Sequence, residues 1–125
     1  MIRAFVVDDE ELAVKRLVRL LAETGRVEVA GSSTDPIDAL AALNEKPVDI
    51  LFLDIQMPGM TGFELCRRLI DTNHAIPTIL VTAFPNDVDQ ARALNDGAVC
   101  YLRKPVDEEH LREALKSALS LDEDS

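Results

Sequence analysis

Five short apolar runs alternate with five segments of helical periodicity along the chain, and this alternation narrows the fold more than any other feature. The runs are Arg3-Ala4-Phe5-Val6-Val7, Val27-Glu28-Val29-Ala30, Asp49-Ile50-Leu51-Phe52-Leu53, Thr78-Ile79-Leu80-Val81-Thr82 and Val99-Cys100-Tyr101-Leu102-Arg103. Runs of this length, bounded by charge, Gly or Pro, suit strands buried on both faces. Between them, apolar residues recur three and four apart. Leu12, Ala13, Arg16, Leu17, Leu20 and Leu21 mark a first helical face, and Ile37, Leu40, Ala41 and Leu43 a second. Phe63, Leu65, Leu69 and Ile70 mark a third, Val88, Ala91 and Leu94 a fourth, and Leu111, Ala114, Leu115, Ala118 and Leu119 a fifth.

Punctuation agrees with the periodicity. Asp35-Pro36 is an N-cap acid followed by proline at the first helical position, Thr61-Gly62-Phe63-Glu64 matches a capping box, and Asp107 stands where the last helix starts. Asn86-Asp87 opens the fourth helix and Gly97 closes it; Gly25 and Pro47 end the first two, and Gly31-Ser32-Ser33-Thr34 reads as a loop. Strand–helix alternation of this kind predicts an α/β fold, a parallel sheet with helices on both faces joined by right-handed crossovers. The expected architecture is the flavodoxin-like (βα)5 doubly wound five-stranded sheet, strand order 2-1-3-4-5. At 125 residues the chain makes one domain, residues 1–120, with 121–125 an acidic tail or the start of a linker.

In that order the first and third strands are neighbours at the topological switch point, where such sheets bind ligands at their carboxyl ends. Asp8 and Asp9 follow the first strand, Asp54 ends the third, Thr82 ends the fourth and Lys104 follows the fifth. Three carboxylates in one crevice resist ionisation together unless a cation neutralises them. Mg²⁺ suits them best, because it takes few carboxylates and keeps its remaining positions for water or phosphate. A carboxylate nucleophile with a metal, a lysine and a hydroxyl describes phosphoryl transfer, with Asp54 the natural acceptor. Taken singly, each residue has a plainer reading as a helix-start acid, a turn residue, a strand threonine or a surface lysine. Their joint placement at four strand ends carries the argument.

The charge balance excludes one function class. With 23 acids against 13 bases, the net charge is -10, and such a surface repels phosphodiester backbones, so no direct nucleic acid binding is expected of this domain. No apolar run approaches membrane-spanning length and Met1-Ile2-Arg3 does not open a signal peptide, which points to a cytoplasmic protein without membrane contact. Cys66 and Cys100 have neither metal-ligand nor CxxC spacing and read as reduced, buried thiols. His74 and His110 are lone and carry no assigned role, and Met57 and Met60 read as turn-lining side chains.

Val7-Asp8-Asp9, Leu53 to Gly59 with Gly62, Val81-Thr82-Ala83, and Tyr101 with Lys104-Pro105 together resemble the receiver domain of two-component response regulators, over nearly the whole chain. The resemblance implies that Asp54 is the phosphoacceptor and that Asp9, Asp54 and the backbone carbonyl of Gln56 ligate Mg²⁺, with Asp8 acting indirectly. It implies that Lys104 pairs with the phosphoryl group, that Thr82 turns its hydroxyl towards it, and that Tyr101 switches rotamer in response. Lys104-Pro105 is expected to be a cis peptide. A sensor histidine kinase or a histidine phosphotransfer protein is the implied donor. The implied output is a surface of the fourth helix, fifth strand and fifth helix, acting on an attached domain, an effector or a second copy in a phosphorylation-dependent homodimer. The chain is then a regulatory phosphoacceptor that catalyses only its own phosphorylation and dephosphorylation. The first helix and Lys104-Pro105-Val106-Asp107 are similar to receivers that precede LytTR-type DNA-binding domains, which implies transcription regulation. Cys100 and Val106 depart from the commonest pattern, near the output face. The resemblance also implies that Gln56 and Phe84 occupy positions that tune phosphoryl lifetime in this family.

Two other chemistries on related frameworks fit less well. A haloacid-dehalogenase-like phosphatase needs a second Asp two residues after its nucleophile, where this chain has Gln56. A flavin or nucleotide binder needs Gly, Ser or Thr donors in its first loop, where this chain has Asp8-Asp9-Glu10-Glu11.

Overall fold

A computed structural model describes residues 1–72, 75–83 and 98–123, with side chains described up to 72, at 75–83 and at 101–118. Its centre is β3 (Ile50–Asp54), every residue of which is buried. Around it lie β1 (Ile2–Val7), β2 (Val27–Ser33), β4 (Thr78–Thr82) and β5 (Ala98–Arg103), all parallel, in the order β2-β1-β3-β4-β5. The helices are α1 (Glu11–Glu23), α2 (Pro36–Glu45), α3 (Gly62–Asp71) and a C-terminal helix, Glu108–Glu123. This is the expected flavodoxin-like arrangement. The fourth helical segment with Gly97, together with His74 and Phe84, lies outside the described residues, as does the side chain of Cys100.

The two-residue period of a strand sorts the core into two layers. Ala4 and Val6, Ile50 and Phe52, Ile79 and Val81 pack with Val14, Leu17 and Leu21 of α1 and Leu111, Ala114, Leu115 and Ala118 of the C-terminal helix. Phe5 and Val7, Leu51 and Leu53, and Leu80 pack with Ala39 and Leu43 of α2 and Phe63, Leu65, Cys66 and Leu69 of α3. Alternate residues of each central strand therefore serve opposite layers, which is why these strands are apolar without interruption.

The helix ends follow the expected chemistry. Asp35 Oδ1 accepts from the Ile37 N–H at 2.8 Å, Thr61 Oγ1 from the Glu64 N–H at 3.2 Å, and Asp107 Oδ1 from the His110 N–H at 2.8 Å. The N–H groups of Thr24 and Gly25 bond back to the carbonyls of Leu21 and Ala22 and close α1. Lys46, before Pro47, is extended and ends α2.

Several local expectations are corrected. Gly31 to Ser33 form no loop: they continue β2, with Gly31 paired to Phe5, Ser32 to Val6 and Ser33 to Val7 after a register shift at Ala4/Phe5. A Cβ at Gly31 would come within 2.7 Å of the Phe5 ring, so the absent side chain is what lets the two strands keep pairing there. On α1 the buried stripe is Val14, Leu17 and Leu21, and Leu12 is 80% exposed. On α2 Ala39 and Leu43 are buried while Ile37 is 65% exposed, and on α3 Cys66 takes the inward place while Ile70 is 41% exposed. Leu12, Ile37 and Ile70 thus lie outside the inward faces, while Leu17, Leu21, Leu43, Phe63, Leu65 and Leu69 are buried where the apolar pattern places them. Met57 and Met60 are core residues of the α2–α3 layer and do more than line a turn. The C-terminal helix continues through Leu121, Asp122 and Glu123, where no Gly or Pro interrupts it.

Candidate functional site

The strand ends are tied to one another by final backbone bonds. The Asp8 N–H donates to the Ser33 carbonyl at 3.2 Å, the Ile55 N–H to Val81 at 3.3 Å, and the Lys104 N–H to Thr82 at 2.7 Å. The segments that leave the sheet therefore leave in fixed relation. Beyond β3 the chain turns at Pro58-Gly59, where Gly59 has φ +84°, a region that disfavours side chains. It then returns to pack the start of α3 on the strand end. A Cβ at Gly62 would lie 2.5 Å from the Asp54 carbonyl oxygen, and the Gly62 N–H donates to the Ile55 carbonyl at 2.8 Å. Glycine there lets the helix backbone close over Asp54's own peptide.

Carboxylate oxygens of Asp8, Asp9 and Asp54 lie within 4.8 Å of one another; Asp8 and Asp54 are buried and Asp9 is exposed. Among the described residues this is the one such group of potential ligands, and an all-oxygen anionic donor set fits a hard divalent cation. Lys104 reaches into it. Its Nζ stands 2.6 Å from Asp8 Oδ2, 3.5 Å from Asp54 Oδ1 and 3.6 Å from Glu10 Oε1. The other Asp8 oxygen accepts the Glu10 N–H at 2.9 Å. The peptide between Lys104 and Pro105 is cis.

Burial and the Asp8 charge push the Asp54 carboxyl up to about 7, against a downward pull from Lys104. Burial alone would lower the Lys104 pKa, but its hydrogen bond to Asp8 and the charges of Asp54, Asp8 and Glu10 outweigh this and raise it. An elevated carboxyl beside a firmly cationic lysine, at the carboxyl end of a parallel sheet, is the pattern of a working site more often than of a structural ion pair.

The structure thus gathers Asp8, Asp9, Asp54 and Lys104. Thr82 is buried at the end of the adjacent strand, its carbonyl bonded to Lys104. Gln56 lies exposed in the turn beyond Asp54. Tyr101 sits further back on β5, paired in register with Leu80 and half-buried against the α2–α3 layer. Glu10 was legible only as one acid of a cluster, since the spacing does not reveal that its side chain reaches Lys104. Beside the site, a groove of about 400 Å³ between α1 and Lys104-Pro105-Val106 has Leu12 on its rim.

The sequence pattern of the response regulator receiver domain matches residues 4–116. The chain belongs to the response regulator receiver family. This receiver is 42% identical over 116 residues to an uncharacterized response regulatory protein of Vibrio vulnificus, covering 93% of the chain and 47% of that protein. It is 36% identical over 115 residues to the transcriptional regulatory protein BtsR of Escherichia coli, covering 92% and 47%. The chain spans about half the length of the curated relatives it matches. A CheY-like receiver domain from Methanospirillum hungatei superimposes with a TM-score of 0.86 at 27% identity, over 99% of this chain and 98% of that one. Receiver domains are regulatory modules of two-component systems, and the receiver's acidic cluster, which could hold a metal ion, lies at its switch point. Among the described residues no helix is long and apolar enough to cross a membrane.

Proposed function

We propose that residues 1–120 form a phosphoacceptor module that takes a phosphoryl group onto Asp54 from a phosphohistidine of a sensor histidine kinase or histidine phosphotransfer protein. The observation that carries this reading is the Lys104 ammonium 3.5 Å from Asp54 Oδ1 beside a three-carboxylate cluster. One Asp54 oxygen forms a bond to phosphorus as the phosphorus–nitrogen bond of the donor breaks, and the released imidazole takes a proton from water. Asp54 must be ionised to do this, and Lys104 favours that form. Asp9, Asp54 and the Gln56 carbonyl would hold Mg²⁺, with Asp8 in support; the ion supplies positive charge to a crowded anionic centre. Lys104 then stabilises the phosphoryl oxygens, and the Thr82 hydroxyl donates to one of them.

Pairing of the new dianion with Lys104 and Thr82 would bias an inactive–active equilibrium, with Tyr101 changing rotamer. Moving such an equilibrium from 1:99 to 99:1 takes about 5.5 kcal/mol of differential stabilisation. The output surface would be the segment of the fourth predicted helix with β5 and the C-terminal helix, acting on an effector, on a second copy, or on an attached LytTR-type DNA-binding domain in a cytoplasmic regulator. The name of the BtsR relative, a transcriptional regulatory protein, and its greater length support an attached domain. The segment from Leu121 onward, helical through Glu123, would lead into the linker to it.

The test is exposure to beryllofluoride or acetyl phosphate with Mg²⁺, followed by amide NMR and intact mass. A Mg²⁺-dependent adduct on the native chain that is absent from Asp54→Ala is expected; equal responses from the two chains would remove Asp54 as acceptor.

A further inference from the structure

Glu10 occupies the N-cap position of α1, with φ -92° and ψ 114°, yet its side chain caps nothing. N-cap acids ordinarily accept from the first free N–H groups of the helix. Here the carboxylate turns away from them, and its Oε1 lies 3.6 Å from Lys104 Nζ. The lysine is nearly buried while the Glu10 side chain is 68% exposed, so Glu10 meets the ammonium from the solvent side. From the inner side the ammonium is held by Asp8 and Asp54, two of the three carboxylates that cluster as potential metal ligands. Asp8 and Asp54 are therefore asked to face two cations, whereas Glu10 lies outside the group of three.

We propose that Glu10 is a positioning residue for Lys104, a counter-charge that retains the ammonium at the rim of the site when Asp8 and Asp54 turn to a divalent ion. This rests on the reading of Asp8, Asp9 and Asp54 as a cation site. Two cations sharing the same oxygens repel each other, and a carboxylate on the far side of the lysine relieves that repulsion while keeping Nζ near Asp54. Removing the Glu10 charge thus weakens ion binding through Lys104, and the effect needs the lysine.

A double-mutant cycle on Mg²⁺ affinity, read by amide chemical shifts, tests this. Glu10→Gln keeps the side chain's size and removes no cap. It is expected to weaken Mg²⁺ binding roughly three- to tenfold in the native chain and less than about twofold when Lys104 is already Met. Equal weakening in the two backgrounds would assign Glu10 a direct effect on the ion and overturn the proposal, as would no weakening in the native chain. Native protein that shows no saturable Mg²⁺ shifts overturns the cation site itself, and this proposal with it. Should Lys104→Met fail to fold, the Lys104 ¹³Cε signal in Mg²⁺-loaded native and Glu10→Gln chains decides: a changed shift is expected, and coincident signals refute the role.

Discussion

The middle of the sheet and its carboxyl edge are built from the same strands but obey opposite rules. In the middle, Ile50, Leu51, Phe52 and Leu53 are all within 1% of complete burial and are entirely apolar. At the edge, Asp8, Asp54 and Thr82 are buried to nearly the same degree, and the two acids lie beside each other. The remaining buried polar side chain among the described residues, Thr78, begins β4, and its hydroxyl simply donates to the Ile76 carbonyl at 2.8 Å. Burial in the middle stabilises the fold; burial at the edge holds charge in a state that water would otherwise relax. The site is thus a region of stored electrostatic tension supported by an interior that can bear it.

Substitutions should separate the two regions. The largest effect is expected in the middle: Phe52→Ala, which empties a fully buried position in the α1 layer, should cost about 3–5 kcal/mol in chemical denaturation. A loss below about 1 kcal/mol would mean that the interior is not what bears the edge. Gly62→Ala tests the seam between the regions. Its Cβ meets backbone and not a flexible side chain, so a loss of about 1–3 kcal/mol is expected, with amide shifts spreading to Asp54.

At the edge the sign reverses. The Asp54 carboxyl holds its proton up to about pH 7 when folded and to about 3.8 when unfolded. Folding therefore takes up a proton between those values, and stability declines as pH rises through that window. Asp54→Asn, measured in a chelator, should be more stable than the native chain by about 1–3 kcal/mol above pH 7, with the gain fading towards pH 4. A gain that does not depend on pH would break the account of tension. The smallest effect belongs to the exposed start of the C-terminal helix, where His110 Nδ1 lies 2.6 Å from Asp107 Oδ2. That contact raises the His110 pKa, so its imidazole should titrate above the ordinary value by NMR and return towards it in Asp107→Asn.

The same contrast explains what could be read from the sequence. β4 was legible to the residue and β3 to within one, because burial on both faces leaves no polar position to blur them. The end of β2 was not. Gly31, Ser32 and Ser33 have weak strand preference, and only pairing with β1 and the room left for the Phe5 ring make them strand. Helix faces were legible except at their margins, since Leu12 and Val14 are equally apolar and the pattern does not decide which of them faces inward. The nearness of Asp8 and Asp54 could be read because a strand end fixes where a short side chain stands. Glu10 and Lys104 meet through long, rotatable side chains whose reach no spacing encodes.

The contributors to the acid–lysine cluster, Asp8, Asp54 and Lys104, lie about fifty residues apart in sequence, each at the carboxyl end of a different parallel strand. No fragment of the chain can therefore hold the cluster before β1, β3 and β5 are all docked. An ion that recognises the three carboxylates together recognises only a chain in which β1 and β3 are already paired. By mass action its binding then stabilises the whole domain, by about 2.7 kcal/mol at a hundred times its dissociation constant. The melting temperature of the entire chain would thereby become a gauge of how full one small corner of it is.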